Sequence, residues 1–379
     1  MKRRQFSRKR KGNILVLSAV MMVMVMAMLA LSIDLGYLYV AREEMQRSAD
    51  SAALAAAWDL VDSGALTGDS NVYVMEESAR SRATQYAALN QVLRQSPALA
   101  NEDVVVGFLP NPSDPAAAID VSGTNMPNTV WVRVRRTEAQ NGKIPFFIAN
   151  VLGIDSIGAE VEATAALLNS FQGFQTPASG GNLEMLPFAL DQNTWNDLVN
   201  GIGTDDWKWD AEMGQVQAGA DGILEFNLYP QGTGSPGNRG TIDIGSNNNS
   251  TADIARQIVE GVSPSDLSYH GGKLEFDSNG ELPLNGDTGI SAGVKDELES
   301  IKGQPRIIPI FSQVTGPGNN AMYTIVQFAG IRIMEVKLTG KQSGKRVIVQ
   351  PANIVARGGI PSPTSGTTAF VYSPVWLIR

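Results

Sequence analysis

Apolar and polar positions fall into three successive patterns along this chain. The first is a block: residues 14–33 are twenty consecutive uncharged, almost wholly apolar residues. A helix of that length rises about 30 Å at ~1.5 Å per residue, which matches the hydrocarbon core of a bilayer. The second is a helical period. From Asp34 to Trp58 there is no proline and one glycine, and Leu38, Ala41, Met45, Ala49, Ala52 and Ala56 recur at three- and four-residue spacing. Arg42, Glu43, Arg47 and Asp50 fall off that line, so the pattern predicts one helix that continues out of the membrane with a stripe of small apolar side chains. Small side chains let helices approach closely, and the spacing leaves open whether the stripe packs on the protein's own first domain or on a partner.

The third pattern mixes short helices with period-two strands. A second helix is predicted at about 75–95, with Tyr86, Leu89, Val92 and Leu93 as its apolar face and Pro97 as its stop. Strands are predicted at 103–109, 117–121 and 129–136, and in the last Val130, Val132 and Val134 alternate with Trp131, Arg133 and Arg135. Residues 144–152 read as a short helix and 156–168 as a closing strand. Beyond residue 170, glycine, asparagine and proline punctuate brief apolar runs in loops such as 232–237, 245–251 and 315–320. Strands are expected there at 224–229, 306–311, 323–328, 331–337, 346–350 and 370–378, with short helices at 252–260 and within 286–303. The organisation expected is a basic tail (1–13), a transmembrane helix (14–33), an extracytoplasmic alanine-rich helix (34–60), an α+β domain (61–170) and a β-rich C-terminal domain (171–379).

Charge gives this arrangement a direction. Lys2, Arg3, Arg4, Arg8, Lys9, Arg10 and Lys11 precede the apolar block with no acidic residue among them. The positive-inside bias then holds the N-terminus in the cytoplasm and exports everything after Asp34, a single pass through the inner membrane with the bulk of the chain periplasmic or extracytoplasmic. A cleaved signal peptide shares the basic start, but its apolar region is usually shorter, the Ala30-Leu31-Ser32 site is weak, and the helical pattern runs on past the membrane. Outside the tail, 23 basic residues stand against 38 acidic ones, a net charge of −15, which speaks against nucleic-acid binding and for simple solubility. With no cysteine, an exported body of this length must be stabilised by burial alone.

Several of these residues resemble a known family. The run Gly12-Asn-Ile-Leu-Val-Leu, then Ile33-Asp-Leu-Gly-Tyr-Leu-Tyr-Val-Ala-Arg42, then Gln46-Arg-Ser-Ala-Asp-Ser-Ala-Ala-Leu-Ala-Ala-Ala57 is similar to the N-terminal domain of TadG-like Flp pilus-assembly proteins. The Tyr86-Ala-Ala-Leu-Asn90 helix, the strand from Val130 to Glu138 and the segment from Pro145 to Ala165 extend the resemblance over about residues 12–168. Pro236-Gly-Asn-Arg-Gly-Thr-Ile-Asp-Ile-Gly245 is a looser match to C-terminal segments of some TadG-like proteins. The resemblance implies a pilin-like α+β domain behind the helix and a non-enzymatic, membrane-tethered component of the tight-adherence (Flp pilus) machinery. Its partners would be the lipid bilayer and other pilus-assembly proteins, the latter reached through the stripe Leu38, Ala41, Met45, Ala49, Ala52 and Ala56. One departure stands out. Processed pilins carry a glutamate five residues after the cleavage glycine, and if Gly12 were that glycine the position is Leu17, so the prepilin peptidase is expected to leave this chain intact.

Candidate chemistry is sparse. Asp120-Val-Ser-Gly-Thr124 imitates the metal-ion motif of von Willebrand A domains, which some TadG-like proteins carry, but Pro127 and the Trp131 strand follow where that fold needs a helix, so an ordinary turn is expected. No Gly-Lys-Ser/Thr follows a glycine-rich loop, and no Gly-x-Ser-x-Gly elbow occurs. His270, the only histidine, is expected in a surface turn. Asp205, Asp206 and Asp210 beside Trp207 and Trp209 could line a sugar cleft or simply form a solvated loop with packed tryptophans. The sequence therefore assigns no catalytic, cofactor-binding or metal residue and no small-molecule substrate. The competing reading is an exported adhesin or carbohydrate-binding module on the same anchor; a hydrolase built on the three aspartates rests on their clustering alone.

Overall fold

The computed structural model describes residues 13–112, 114, 117–228, 239–287, 291–316, 320–341, 344–362 and 366–378. The basic tail, the 232–237 loop and Tyr229 of the expected 224–229 strand lie outside the described residues. The chain divides into two units, one of residues 1–53, 82–104 and 131–163 and the other of 54–81, 105–130 and 164–379.

The apolar block and the alanine-rich pattern form one uninterrupted 46-residue helix, α1 (Asn13–Trp58), which belongs to the first unit up to Ala53. The second helix, α2 (Val72–Leu89), contributes Ala83 and Ala87 to the core that buries Ala41, Met45, Ala49, Ala52 and Ala53 of α1. Small side chains bring the backbones close enough for the Ser48 hydroxyl to donate to the Ala87 carbonyl at 3.1 Å and for the Asn90 amide to reach Ser51 at 2.7 Å. Helix α2 ends at Leu89, six residues before the expected stop, and Pro97 is not the cause. The Asn90 side chain turns back onto the Tyr86 carbonyl, Leu93 and Arg94 take left-handed φ values of 51° and 64°, and the Leu93 N–H donates to Glu44 on α1 at 2.7 Å.

Strands β1 (Val104–Gly107) and β2 (Thr129–Arg136) follow. Val130, Val132 and Val134 of β2 are buried while Trp131, Arg133 and Arg135 are half-exposed, the alternation the sequence predicted. Residues 117–121 form no strand; Asp120 bridges Phe108 and nothing more. Residues 144–152 are not the expected helix either. Ile144 and Pro145 form β3 (Ile144–Pro145), paired with β4 (Ser156–Ile157), and only Ala149–Leu152 makes a 3₁₀ turn, closed by Gly153 at φ 83°. The closing strand is β5 (Ala159–Ala166). Asp103, wholly buried, accepts from the Ala100 N–H at 2.9 Å, Gln140 at 2.6 Å, Arg133 at 3.2 Å and Arg135 at 2.7 Å, so the arginines of β2 are tied to the loop before β1.

The second unit adds, in chain order, β6 (Phe171–Gln175), β7 (Phe188–Asp191), α3 (Gln192–Val199), β8 (Trp207–Asp210), β9 (Gln215–Ala218), β10 (Phe226–Asn227) and β11 (Arg239–Ile242). Then come α4 (Thr251–Glu260), α5 (Pro264–Tyr269), β12 (Lys273–Glu275), β13 (Leu282–Asp287), α6 (Lys295–Ser300), β14 (Pro305–Thr315) and β15 (Ala321–Lys337). The last are β16 (Arg346–Pro351), β17 (Ile354–Val355), β18 (Gly359–Pro361), β19 (Thr368–Ala369), β20 (Val371–Tyr372) and β21 (Trp376–Leu377). The principal sheet runs β10-β16-β15-β13-β11-β7-β14, and a further β14–β15 pairing brings its β14 end back onto the long strand β15. One apolar cluster uses Ile308 and Ile310 of β14 with Trp195, Ile254 and Leu298 from the helices. The other uses Ile307 and Phe311 with Phe171, Phe174 and Leu274 from the small sheet β12-β6-β18. Adjacent strand residues point to opposite faces, so helices cover one face of the principal sheet and the small sheet covers the other.

The two strands expected at 323–328 and 331–337 are one strand, β15. Gly330 does not break it: a side chain there would meet the carbonyls of Ala352 and Phe370, so glycine serves close backbone approach. The expected terminal strand 370–378 is instead two short pairings, β20 with β17 and β21 with β5.

Candidate membrane anchor and interaction surfaces

The N-terminal helix is the one described element long and apolar enough to cross a membrane. Its side chains from Ile14 to Ile33 are exposed, except for a half-buried Ala30. Eighteen of these twenty side chains are apolar, and facing water each of the larger ones would forfeit about 1.5–3 kcal/mol of burial, so a nonaqueous surrounding is the favourable one. The two hydroxyls of the stretch are satisfied within the helix: Ser18 donates to the Ile14 carbonyl at 2.8 Å and Ser32 to Met28 at 2.9 Å.

At Asp34, the first charged residue after the block, the surroundings change. Its side chain is only 4% exposed. The carboxylate accepts from three successive backbone N–H groups, Phe147 at 2.8 Å, Ile148 at 3.2 Å and Ala149 at 2.7 Å, and so caps the 3₁₀ turn of residues 149–152. Removal from water works to raise its pKa, but the cover is a single loop, and the three N–H donors prevail and hold the carboxyl below the usual range. The Tyr37 ring packs edge-on against Phe147 at 4.9 Å. Between this loop and the helix lies an apolar groove of about 650 Å³, walled by Val23, Met26 and Ala30 on one side and Phe146, Ile148 and Ile154 on the other.

The stripe expected to meet partners is largely spent on the protein itself. Ala41, Met45, Ala49, Ala52 and Ala56 have no exposed surface, and Leu38 is half-buried. The sequence left self-packing and partner-packing open, and the structure decides for self-packing: once alanine carbons are sealed against neighbouring backbone, nothing of them remains to dock another chain. The exposed side of α1 beyond the span instead presents Leu35, Tyr39, Val40, Arg42, Glu43 and Arg47.

The other sequence candidates hold loops in place. Asp205 accepts from the N–H groups of Asp221 and Gly222, each at 3.0 Å, and Asp210 from those of Glu212 and Met213. Glu225, which the sequence reading passed over, is buried and accepts from the N–H groups of Asp206 and Trp207; burial raises its pKa and those two donors oppose it. Trp209 is stacked under the Arg332 guanidinium at 4.8 Å and lies against Gly303, so its ring does not line an open cleft. Asp120 forms a turn with the Ser122 N–H at 2.9 Å. His270 lies in the turn that ends α5, as expected, and is half-buried there, its Nε2 facing the Gly245 N–H at 3.4 Å, and burial lowers its pKa. Among the described residues no three His, Asp or Glu side chains converge as a metal site would require.

No curated protein and no solved structure matches the chain. A family model does match, over residues 12–59, a stretch that coincides with α1. That family is Tad, described as putative Flp pilus-assembly TadE/G-like, and residues 12–59 of this chain are similar to it.

Proposed function

We propose that this protein is a membrane-anchored structural or assembly component of a Flp (Tad) type pilus or secretion machinery, working through protein contacts and not through catalysis. One observation carries the reading: the Tad-matched segment is a single helix that passes without a break from twenty lipid-compatible residues into a core of buried alanines. A folded body mounted in this way is held at the membrane surface, which suits a platform or connector. The basic tail orients the helix with its N-terminus in the cytoplasm of the inner membrane, the far side carrying a pilin-like α+β domain (61–170) and a β-rich domain (171–379). Contacts with other pilus proteins use the exposed side of α1 and the outer surfaces of these domains, since the alanine stripe is occupied.

An in-frame deletion in the native bacterium, scored by electron microscopy of surface pili, tests the role. Loss of pili, restored by the full chain and not by a chain lacking residues 14–33, is expected. Normal pili in the deletion strain would end the proposal.

A further inference from the structure

We infer that the loop of residues 146–154 is a second membrane contact: it seats in the leaflet at the C-terminal end of the span, and the groove between it and α1 is filled by phospholipid acyl chains. This rests on the reading of residues 14–33 as a membrane span.

Three observations converge on it. The groove's helical wall runs from Val23 to Asp34. At ~1.5 Å per residue that is about 16 Å, close to the depth of one leaflet, so whatever fills the groove lies at acyl-chain depth. The opposite wall belongs to residues 144–154, eleven in succession without a charge, with Phe147 60% and Ile154 54% exposed. Such side chains have no protein cover although they adjoin the span.

The third observation concerns the backbone. Irregular backbone can meet lipid only if its polar groups are satisfied internally. Here the Phe146 N–H donates to the Asp155 carbonyl at 2.9 Å, those of Phe147, Ile148 and Ala149 to Asp34, Gly153 to Asn150 at 3.0 Å and Ile154 to Ala149 at 3.1 Å. Asp34 thereby does two things at the membrane exit. It satisfies three of the loop's N–H groups, and those bonds hold its own carboxylate against the loop at the end of the groove. Tyr39, 73% exposed one turn further along, stands where aromatic side chains collect at membrane interfaces. A loop fixed this way would sit about 5–10 Å into the boundary of headgroups and chains and would restrain the tilt of the span.

The unmodified full-length chain, reconstituted in phosphatidylethanolamine/phosphatidylglycerol vesicles doped with a lipid carrying a diazirine on its acyl chain, gives the test. After illumination, proteolysis and mass spectrometry locate the lipid adducts. The expected result is adducts within 14–33 and within 146–154, with the second set lost and the first retained in Asp34→Ala. Adducts in 14–33 alone overturn this inference and leave the anchor standing, as does a cross-link from 146–154 to a second copy without lipid adducts. No adducts in 14–33 removes the anchor reading itself.

Discussion

Three aspartates show how differently one residue type is used in this chain. Asp34 joins helix to loop through backbone donors. Asp103 is ionised inside the protein: burial opposes its charge, yet the Ala100 N–H, Gln140 and two arginines outweigh that and keep its pKa low. Asp103→Ala would leave Arg135 and Arg133 with only their more exposed partners, Glu102 and Glu160, and because the arginines can also rehydrate, a loss of about 2–3 kcal/mol is expected in chemical denaturation at pH 7. A carboxylate with a depressed pKa contributes stability above its unfolded value of ~3.9, and that contribution disappears as pH falls through the lower folded value. Asp103→Ala should accordingly lose least, relative to the parent, in strong acid. Asp243 is the reverse case. Burial raises its pKa to about 6, the Asn249 N–H acting against this and the Asp287 charge adding to it. Its contribution is complete below ~3.9 and is lost as pH rises to about 6, a change of about 3 kcal/mol. His270 slopes the other way, its contribution rising with pH up to its unfolded value of ~6.5, because burial lowers its pKa. Asp243→Asn should thus leave the His270 slope alone, and stability measured between pH 4 and 7 should then rise with pH where the parent shows less rise or a fall.

At the scale of elements, α1 owes its two characters to side-chain size. Large apolar residues suit lipid, whereas alanines suit close packing on α2, and the change falls at Asp34. Ala49→Leu would push about three extra carbons into a site with no exposed surface and is expected to cost about 1–3 kcal/mol, read as a lower midpoint in thermal unfolding. This helix was legible in the sequence because composition and period both announce it, and β2 because burial of a single face imposes strict alternation on Val130, Val132 and Val134. What stayed hidden depended on distant partners. Phe146 and Phe147 carry an apolar pattern that fits a helix, but whether the N–H groups of 147–149 bond along the chain or to a carboxylate 113–115 residues away is not written locally. Gly330 resembles a strand breaker until the carbonyls of Ala352 and Phe370 are seen beside it. The short strands β6, β7 and β12 escaped notice because three to five residues carry too little period. Among the functional features, the anchor was readable, whereas the roles of Asp34 and Glu225 required the folded loops. The alanine stripe was visible as a pattern and ambiguous as to partner, since close packing within one chain and between chains uses the same small residues.

On the proposed reading, the whole molecule is a folded body mounted at the membrane by one helix whose packed side is already occupied. Removing residues 14–33 should transfer the protein from the alkaline-washed membrane pellet to the soluble fraction, with the body still resistant to limited proteolysis. The most direct test uses the absence of native cysteine. Single cysteines at Tyr39, Arg47 and Ala49, cross-linked in living cells and identified by mass spectrometry, separate the exposed side of α1 from its buried side. Adducts with other pilus-assembly proteins from Tyr39 or Arg47, and none from Ala49, are the expected outcome. Adducts from Ala49, or none from either exposed position in cells that assemble pili, would contradict it.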